Sequence, residues 1–207
     1  MFENYTKDAR KAIFHTQEVA RSLNHPAIDA YHILLGVLKV DAKAAVILRS
    51  NGLAYDATMR YVQNKHPVLS TPSPAKIPYI LHVMSVFDRA HTRAASLSHR
   101  VTDLEHIALV VLSSGNQDIT ALMTLLQIDT EKIQRDLVES AQQKANAEQI
   151  IRVTNIARNT APSPLAHALR LVRSEATTKE QLTKALTQLI QTGDDTIAIR
   201  IIQSLEA

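Results

Sequence analysis

Leu23-Asn24-His25-Pro26-Ala27-Ile28-Asp29-Ala30-Tyr31-His32-Ile33-Leu34-Leu35-Gly36-Val37-Leu38 has a copy further along the chain. Leu97-Ser98-His99-Arg100-Val101-Thr102-Asp103-Leu104-Glu105-His106-Ile107-Ala108-Leu109-Val110-Val111-Leu112 repeats it at an offset of 74. Leu, His, Asp, His, Ile, Leu, Val and Leu recur at matching places. In each copy a short loop ends in an Asp and an apolar run follows. An Asp before such a run accepts the orphan N–H groups of a first helical turn, so Asp29 and Asp103 read as helix starts. Each copy predicts a helix, a loop and a second, mostly buried helix.

Thr6 precedes a helical pattern through Ala9, Ile13, Phe14, Val19, Ala20 and Leu23, spaced by threes and fours. The second helix runs from about Ala30 to Lys39. Ala44–Ser50 reads as a third, stopped by Asn51-Gly52, and Asp56–Lys65 as a fourth. His66–Pro78 holds four prolines and reads as a linker. The second copy then places helices over Val83–Leu97, Leu104–Leu112, Ile119–Leu126 and Thr130 to about Gln143. It gains one residue after Leu112, so that Leu53 matches Ile128. Two copies of one helical unit stack on a shared apolar seam.

The duplication stops beyond Gln143. Glu148–Arg158 reads as helical, a prolongation of the preceding helix, and Thr160–Pro164 breaks it. Shorter helices are expected over Leu165–Val172, from Thr178 to Thr192 behind a Thr–Gln capping box, and over Thr196–Leu205. The expected fold class is all-α: two pseudo-symmetric four-helix repeats plus a C-terminal helical extension. The domains read as 1–66 (repeat 1), 67–78 (Pro-rich linker), 79–145 (repeat 2) and 146–207 (extension or small subdomain).

Composition excludes several classes of function. The absence of Cys removes disulfides and thiolate metal sites and fits a reducing compartment. Lys and Arg exceed Asp and Glu by only 23 to 20 and no basic run exists, so nucleic acid is not an expected partner despite the basic pI. The longest apolar runs are far too short to span a bilayer. Met1–Asp8 has no signal-peptide apolar segment, so a cytoplasmic location is expected.

Met1-Phe2-Glu3-Asn4-Tyr5-Thr6, Gln17–His25 and His32–Leu38 together resemble the amino-terminal repeat domain of Clp ATPases of the ClpC type. Ile77-Pro78-Tyr79 and Leu97–Leu112 resemble that family's second repeat. The similarity covers roughly Met1 to Ala141. It implies an all-α, two-repeat domain of about eight helices that receives substrates and adaptors for an ATP-driven unfoldase feeding a protease. These 207 residues contain no G-x-x-x-x-G-K-[ST] phosphate loop, and their four glycines could not build two such sites. The expectation is a stand-alone domain that is not an enzyme and uses no cofactor.

The resemblance also implies a ligand. In the ClpC-type family each repeat can hold a phosphorylated arginine. A Thr at the start of the first helix meets the phosphate, and a Glu before the His of the second helix meets the guanidinium, consistent with anion binding at helix starts and bidentate carboxylate–guanidinium pairing. Here the first repeat keeps Thr6 but has Tyr31 for the acid, and the second keeps Glu105 but has Ile80 for the Thr. Each copy thus retains half of a phosphoarginine-peptide site. The alternative roles are an N-cap for Thr6 and a first-turn carboxylate for Glu105.

His25, His32, His99 and His106 pair across the copies. A four-His site without Cys or carboxylate would be unusual for structural zinc, and duplication explains the pairing more simply, so no metal is expected. No catalytic residues are expected either. There is no Cys nucleophile and no G-x-S-x-G elbow, and Ser96, Ser98, His99 and Asp103 read as helix-capping residues. Phe2, Tyr5 and Tyr79 are expected to be exposed anchors for a peptide or partner helix. Alternatively, Tyr5 and Tyr79 staple their helix starts. The resemblance favours the first reading for Phe2 and Tyr79, because adaptors dock on the face formed by the two first helices.

The protein/peptide-binding residues are therefore expected to be Phe2, Thr6, Tyr79 and Glu105. The expected function is a protein-binding module of the Clp chaperone-protease system. Its partners would be Clp ATPase or protease subunits, substrates or adaptors. The alternative is a helical scaffold unrelated to proteolysis that binds through its C-terminal extension.

Overall fold

The computed structural model describes residues 2–159. The chain divides after Ala145 into two units, and the fold and site below lie in the first. Among the described residues there are eight α-helices and no strand. The first repeat holds α1 (Lys7–Ser22), α2 (Ala30–Leu38), α3 (Lys43–Ser50) and α4 (Tyr55–Lys65). The second holds α5 (Leu81–Ser96), α6 (Leu104–Leu112), α7 (Gln117–Leu125) and α8 (Thr130–Asn159). The helix expected beyond Gln143 is continuous with α8. The helices expected after Thr160 lie outside the described residues. None of the described helices is long and apolar enough to cross a membrane.

The second helices of the two copies agree down to their caps, whereas Ile80 gives α5 no counterpart to the side-chain cap of α1. Thr6 Oγ1 accepts from the Ala9 amide at 3.2 Å and starts α1. Asp29 and Asp103 accept from the Ala30 and Leu104 amides at 2.6 and 2.7 Å. In both, the third helical residue closes a capping box back to the cap's own amide, with His32 and His106 doing what Glu or Gln commonly does. Behind the first helix, Asn24 (φ 56°) and Ser98 (φ 60°) turn left-handed at matching positions. Behind the third, Gly52 (φ 92°) has Gln127 (φ 54°) as its counterpart. The duplication thus extends to the backbone, even where glycine has been replaced.

α2 and α6 are mostly apolar and form the centre. Every residue of each is buried, including Tyr31, His32, Glu105 and His106. α1 lies hard against α2. A Cβ on Gly36 would meet Ala12 O, Thr16 N and Thr16 Oγ1, so only glycine fits there. The second repeat has Val110 opposite Ala90 at the matching positions, reversing which helix carries the bulk.

The proline-rich segment forms no helix but is strapped to the first repeat. Leu69 N donates to Leu23 O at 3.1 Å, Arg21 donates to Ala75 O at 3.2 Å, and Ile77 is buried in the core. Each missing proline N–H is one fewer donor to satisfy, so an extended strap is the conformation open to it.

Candidate functional site

The two repeats exchange their helix starts. Thr6 N donates to Thr102 O (3.0 Å) and Thr102 N to Asn4 O (2.7 Å). At the symmetric place Ile80 N donates to Ile28 O (3.1 Å) and Ile28 N to Pro78 O (2.8 Å). The start of each first helix therefore docks on the start of the other repeat's second helix. The expectation of half a site within each copy is corrected by this geometry. Thr6 of the first repeat and Glu105 of the second meet in one place, while Ile80 and Tyr31 belong to the other. Sequence order pairs Thr6 with Tyr31, and only the exchange of helix starts pairs it with Glu105.

At the first place Thr6 Oγ1 donates to Asp103 Oδ1 at 2.7 Å. Asp103 Oδ2 accepts from Lys144 Nζ at 3.0 Å. The same ammonium lies 2.7 Å from Glu105 Oε1 and 3.0 Å from Oε2. Ser140, one turn earlier on α8, donates to Glu105 Oε1 at 3.0 Å. Glu105 has no exposed surface. A buried carboxylate needs such partners, and α8 supplies both, at positions 140 and 144 of one helical face. Burial works to raise the Asp103 carboxyl, but hydrogen bonds from Thr6, the Leu104 amide and Lys144 outweigh it, and its pKa falls below the usual value. Burial works to lower the Lys144 ammonium, and its bonds and attraction to Glu105 and then Asp103 outweigh this and raise it.

The second place is aromatic. Tyr31 stands where Glu105 stands in the first, and His66 stacks on it at 4.7 Å with an interplanar angle of 14°. His66 Nε2 pairs with Asp118 Oδ2 at 2.9 Å. Asn116 donates to Asp29 Oδ1 at 3.2 Å. Burial, then the charges of Asp29 and Asp118, raise the Tyr31 phenol. Ile80 offers no hydroxyl, so this place has neither the hydroxyl nor the acid of the first.

The four histidines form two separate dyads. The Asp29 amide donates to His32 Nδ1 at 2.8 Å, which assigns the proton to Nε2 and directs it to His25 Nδ1 at 2.8 Å. Asp103, His106 and His99 repeat the arrangement with both distances at 2.8 Å. Burial, then the neighbouring His25 and His66, push His32 down to about 3. Burial, then His99, push His106 down to about 4. Both rings are neutral connectors that fix the loop before each central helix. Among the described residues no group of three or more His, Cys, Asp or Glu is placed to hold a metal.

Phe2 and Tyr79 are partly buried and Tyr5 is buried, so none of the three projects as an anchor. Phe2 packs edge-on against Tyr5 (5.1 Å) and Phe87 (5.3 Å), and Tyr79 edge-on against Phe87 (5.5 Å). Tyr5 donates its hydroxyl to Phe87 O at 2.8 Å. Phe2 and Tyr5 reach Phe87 because the first helix begins beside the second repeat, whereas Tyr79 meets it from within the second repeat. Among the apolar side chains that do project are Phe14 on α1 and Leu81 at the start of α5, 63% and 89% exposed.

Residues 4–91 match the family described as the Clp repeat (R) N-terminal domain. The chain is similar to a probable ATP-dependent Clp protease ATP-binding subunit of Chlamydia pneumoniae, 27% identical over 146 residues, which are 67% of this chain and 17% of that protein. It is similar to the chaperone protein ClpB of Oceanobacillus iheyensis, 27% identical over 140 residues, with coverage of 67% and 17%. It thus spans under a fifth of the length of these relatives. In fold it resembles the N-terminal domain of the chaperone ClpD from Arabidopsis thaliana. That likeness has a TM-score of 0.58 at 19% identity, covering 68% of this chain and 99% of that one. The Hsp104 N-terminal domain from Candida albicans gives a TM-score of 0.55 at 20% identity, covering 66% and 91%.

Proposed function

We propose that this chain, which carries a Clp repeat N-terminal domain, is a protein-binding module of the Clp chaperone-protease system. It receives a substrate, an adaptor or a Clp subunit in the cytoplasm and hydrolyses no ATP itself. It comprises repeats at 1–66 and 79–145 and an extension at 146–207. Neither nucleic acid nor membrane is a partner.

The observation that carries this reading is that Thr6 bonds Asp103 while Lys144 joins Asp103 to Glu105, so that residues of both repeats share one cluster. A hydroxyl at the start of α1 and two carboxylates at the start of α6 lie within one hydrogen-bonded cluster. Helix starts favour anions and paired carboxylates favour a guanidinium, so one cluster offers complementary halves to a phosphoarginine side chain.

Crosslinking of the purified chain in a lysate of its own organism tests the system-level part. Recovery of Clp ATPase or protease subunits, with or without ATP, is the expected outcome. Reproducible recovery of one partner outside proteolysis, with no Clp component under native or crosslinked conditions, would favour the unrelated-scaffold reading instead.

A further inference from the structure

All four carboxylate oxygens of the Thr6–Asp103–Glu105 cluster are already engaged from within. Asp103 Oδ1 takes the Thr6 hydroxyl and the Leu104 amide, and Oδ2 takes Lys144. Glu105 Oε1 takes Ser140 and Lys144, and Oε2 takes Lys144 again. The ammonium sits where an incoming cation would have to sit. It reaches there from the surface, with about a third of its side chain exposed.

From this we infer that Lys144 is an internal ligand of the cluster and decides which cations it admits. The inference rests on the proposed binding role of that cluster. A lysine or arginine side chain of a partner gains these carboxylates only after Lys144 Nζ has left them. Nothing else on the cluster needs to move, because Thr6 and Ser140 are donors that the carboxylates keep. The other place needs no such residue, because Tyr31 carries no charge. The lysine accompanies the acid. It serves as a built-in competitor, so the intact chain binds cations weakly and loss of the ammonium uncovers the cluster.

The test uses the full chain, 15N-labelled, titrated with arginine amide and with the uncharged citrulline amide. The amide signals of Ala9 and Leu104 report the site. Lys144→Met keeps the apolar stem and removes the charge, and its expected behaviour is saturable binding of arginine amide only. The unsubstituted chain binds at least about tenfold more weakly, as when the competent state is a tenth or less of the population. Equal affinity of the two, or no binding to Lys144→Met, overturns the inference. If Lys144→Met does not fold, competitive acetylation of the unsubstituted chain decides. Lys144 is then expected to react at least about tenfold more slowly than the exposed Lys7, for the same population reason, and equal rates overturn the inference. Arginine amide bound by Lys144→Met without any Clp partner would remove the proposed function and leave Lys144's role standing. A Clp partner bound with Lys144 and Lys7 equally reactive would do the reverse.

Discussion

Thr6 Oγ1 lies 2.7 Å from Asp103 Oδ1 and joins residues of different repeats. One hydroxyl thereby caps α1 and ties it to the start of α6. Removing the oxygen breaks both contacts at once. Thr6→Val is expected to lose about 1–2 kcal/mol in chemical denaturation, and Thr6→Ser well under 1 kcal/mol, since cap loss alone costs up to that range. Equal effects of the two would mean that the methyl group, not the hydroxyl, matters.

His32 and His106 make stability depend on pH in a defined window. Their folded values, about 3 and about 4, lie below the ordinary 6.5. The unfolded chain binds their protons first, so folding is favoured fully above about pH 7 and loses ground as pH falls from 6.5 toward 4. Each ring is expected to cost about 2 kcal/mol between pH 7.5 and pH 5. Urea midpoints at those two values measure the loss. His106→Gln is expected to flatten the slope by one ring's share, and an unchanged slope would contradict the buried neutral dyad.

The central helix α2 is sensitive in both directions. Leu35 is wholly buried, and Leu35→Ala is expected to cost about 2–5 kcal/mol. Gly36→Ala would favour the isolated helix yet press on the α1 backbone, and a net loss of about 1–3 kcal/mol is expected from such overpacking. Phe14→Ala, on the exposed face of α1, is expected to change stability by under ~0.5 kcal/mol. Thermal unfolding of the three variants checks the order.

Much of the fold was legible because local signals agreed with the duplication. Asp29 and Asp103, each ahead of an unbroken apolar run, mark α2 and α6, and Leu104–Leu112 is the helix as expected. Other ends moved by one or two residues, as for α3, which begins at Lys43. The site was less legible. Thr6 and Glu105 each carry a recognisable residue type, but their pairing depends on the exchange of helix starts between repeats, which no spacing encodes. Lys144 was missed because a lysine on a polar helix gives no sign that it turns inward. Its spacing of four from Ser140 was the one available signal, and it acquires meaning only with Glu105 beneath it. The burial of Phe2 and Tyr79 is hard to read because an aromatic near a helix start can either project or staple, and for Phe2 the ring that receives it, Phe87, lies in the other repeat.

The most direct test is a calorimetric titration with an arginine-phosphorylated peptide and its unphosphorylated twin, run on the unsubstituted chain and on Lys144→Met. The expected result is that the unsubstituted chain binds the phosphorylated peptide more tightly than its twin, that Lys144→Met binds both peptides more tightly than the unsubstituted chain does, and that Thr6→Ala and Glu105→Ala, though in different repeats, each weaken binding of the phosphorylated peptide. Binding to neither protein, or binding indifferent to both alanine substitutions, would contradict a recognition site built across the two repeats.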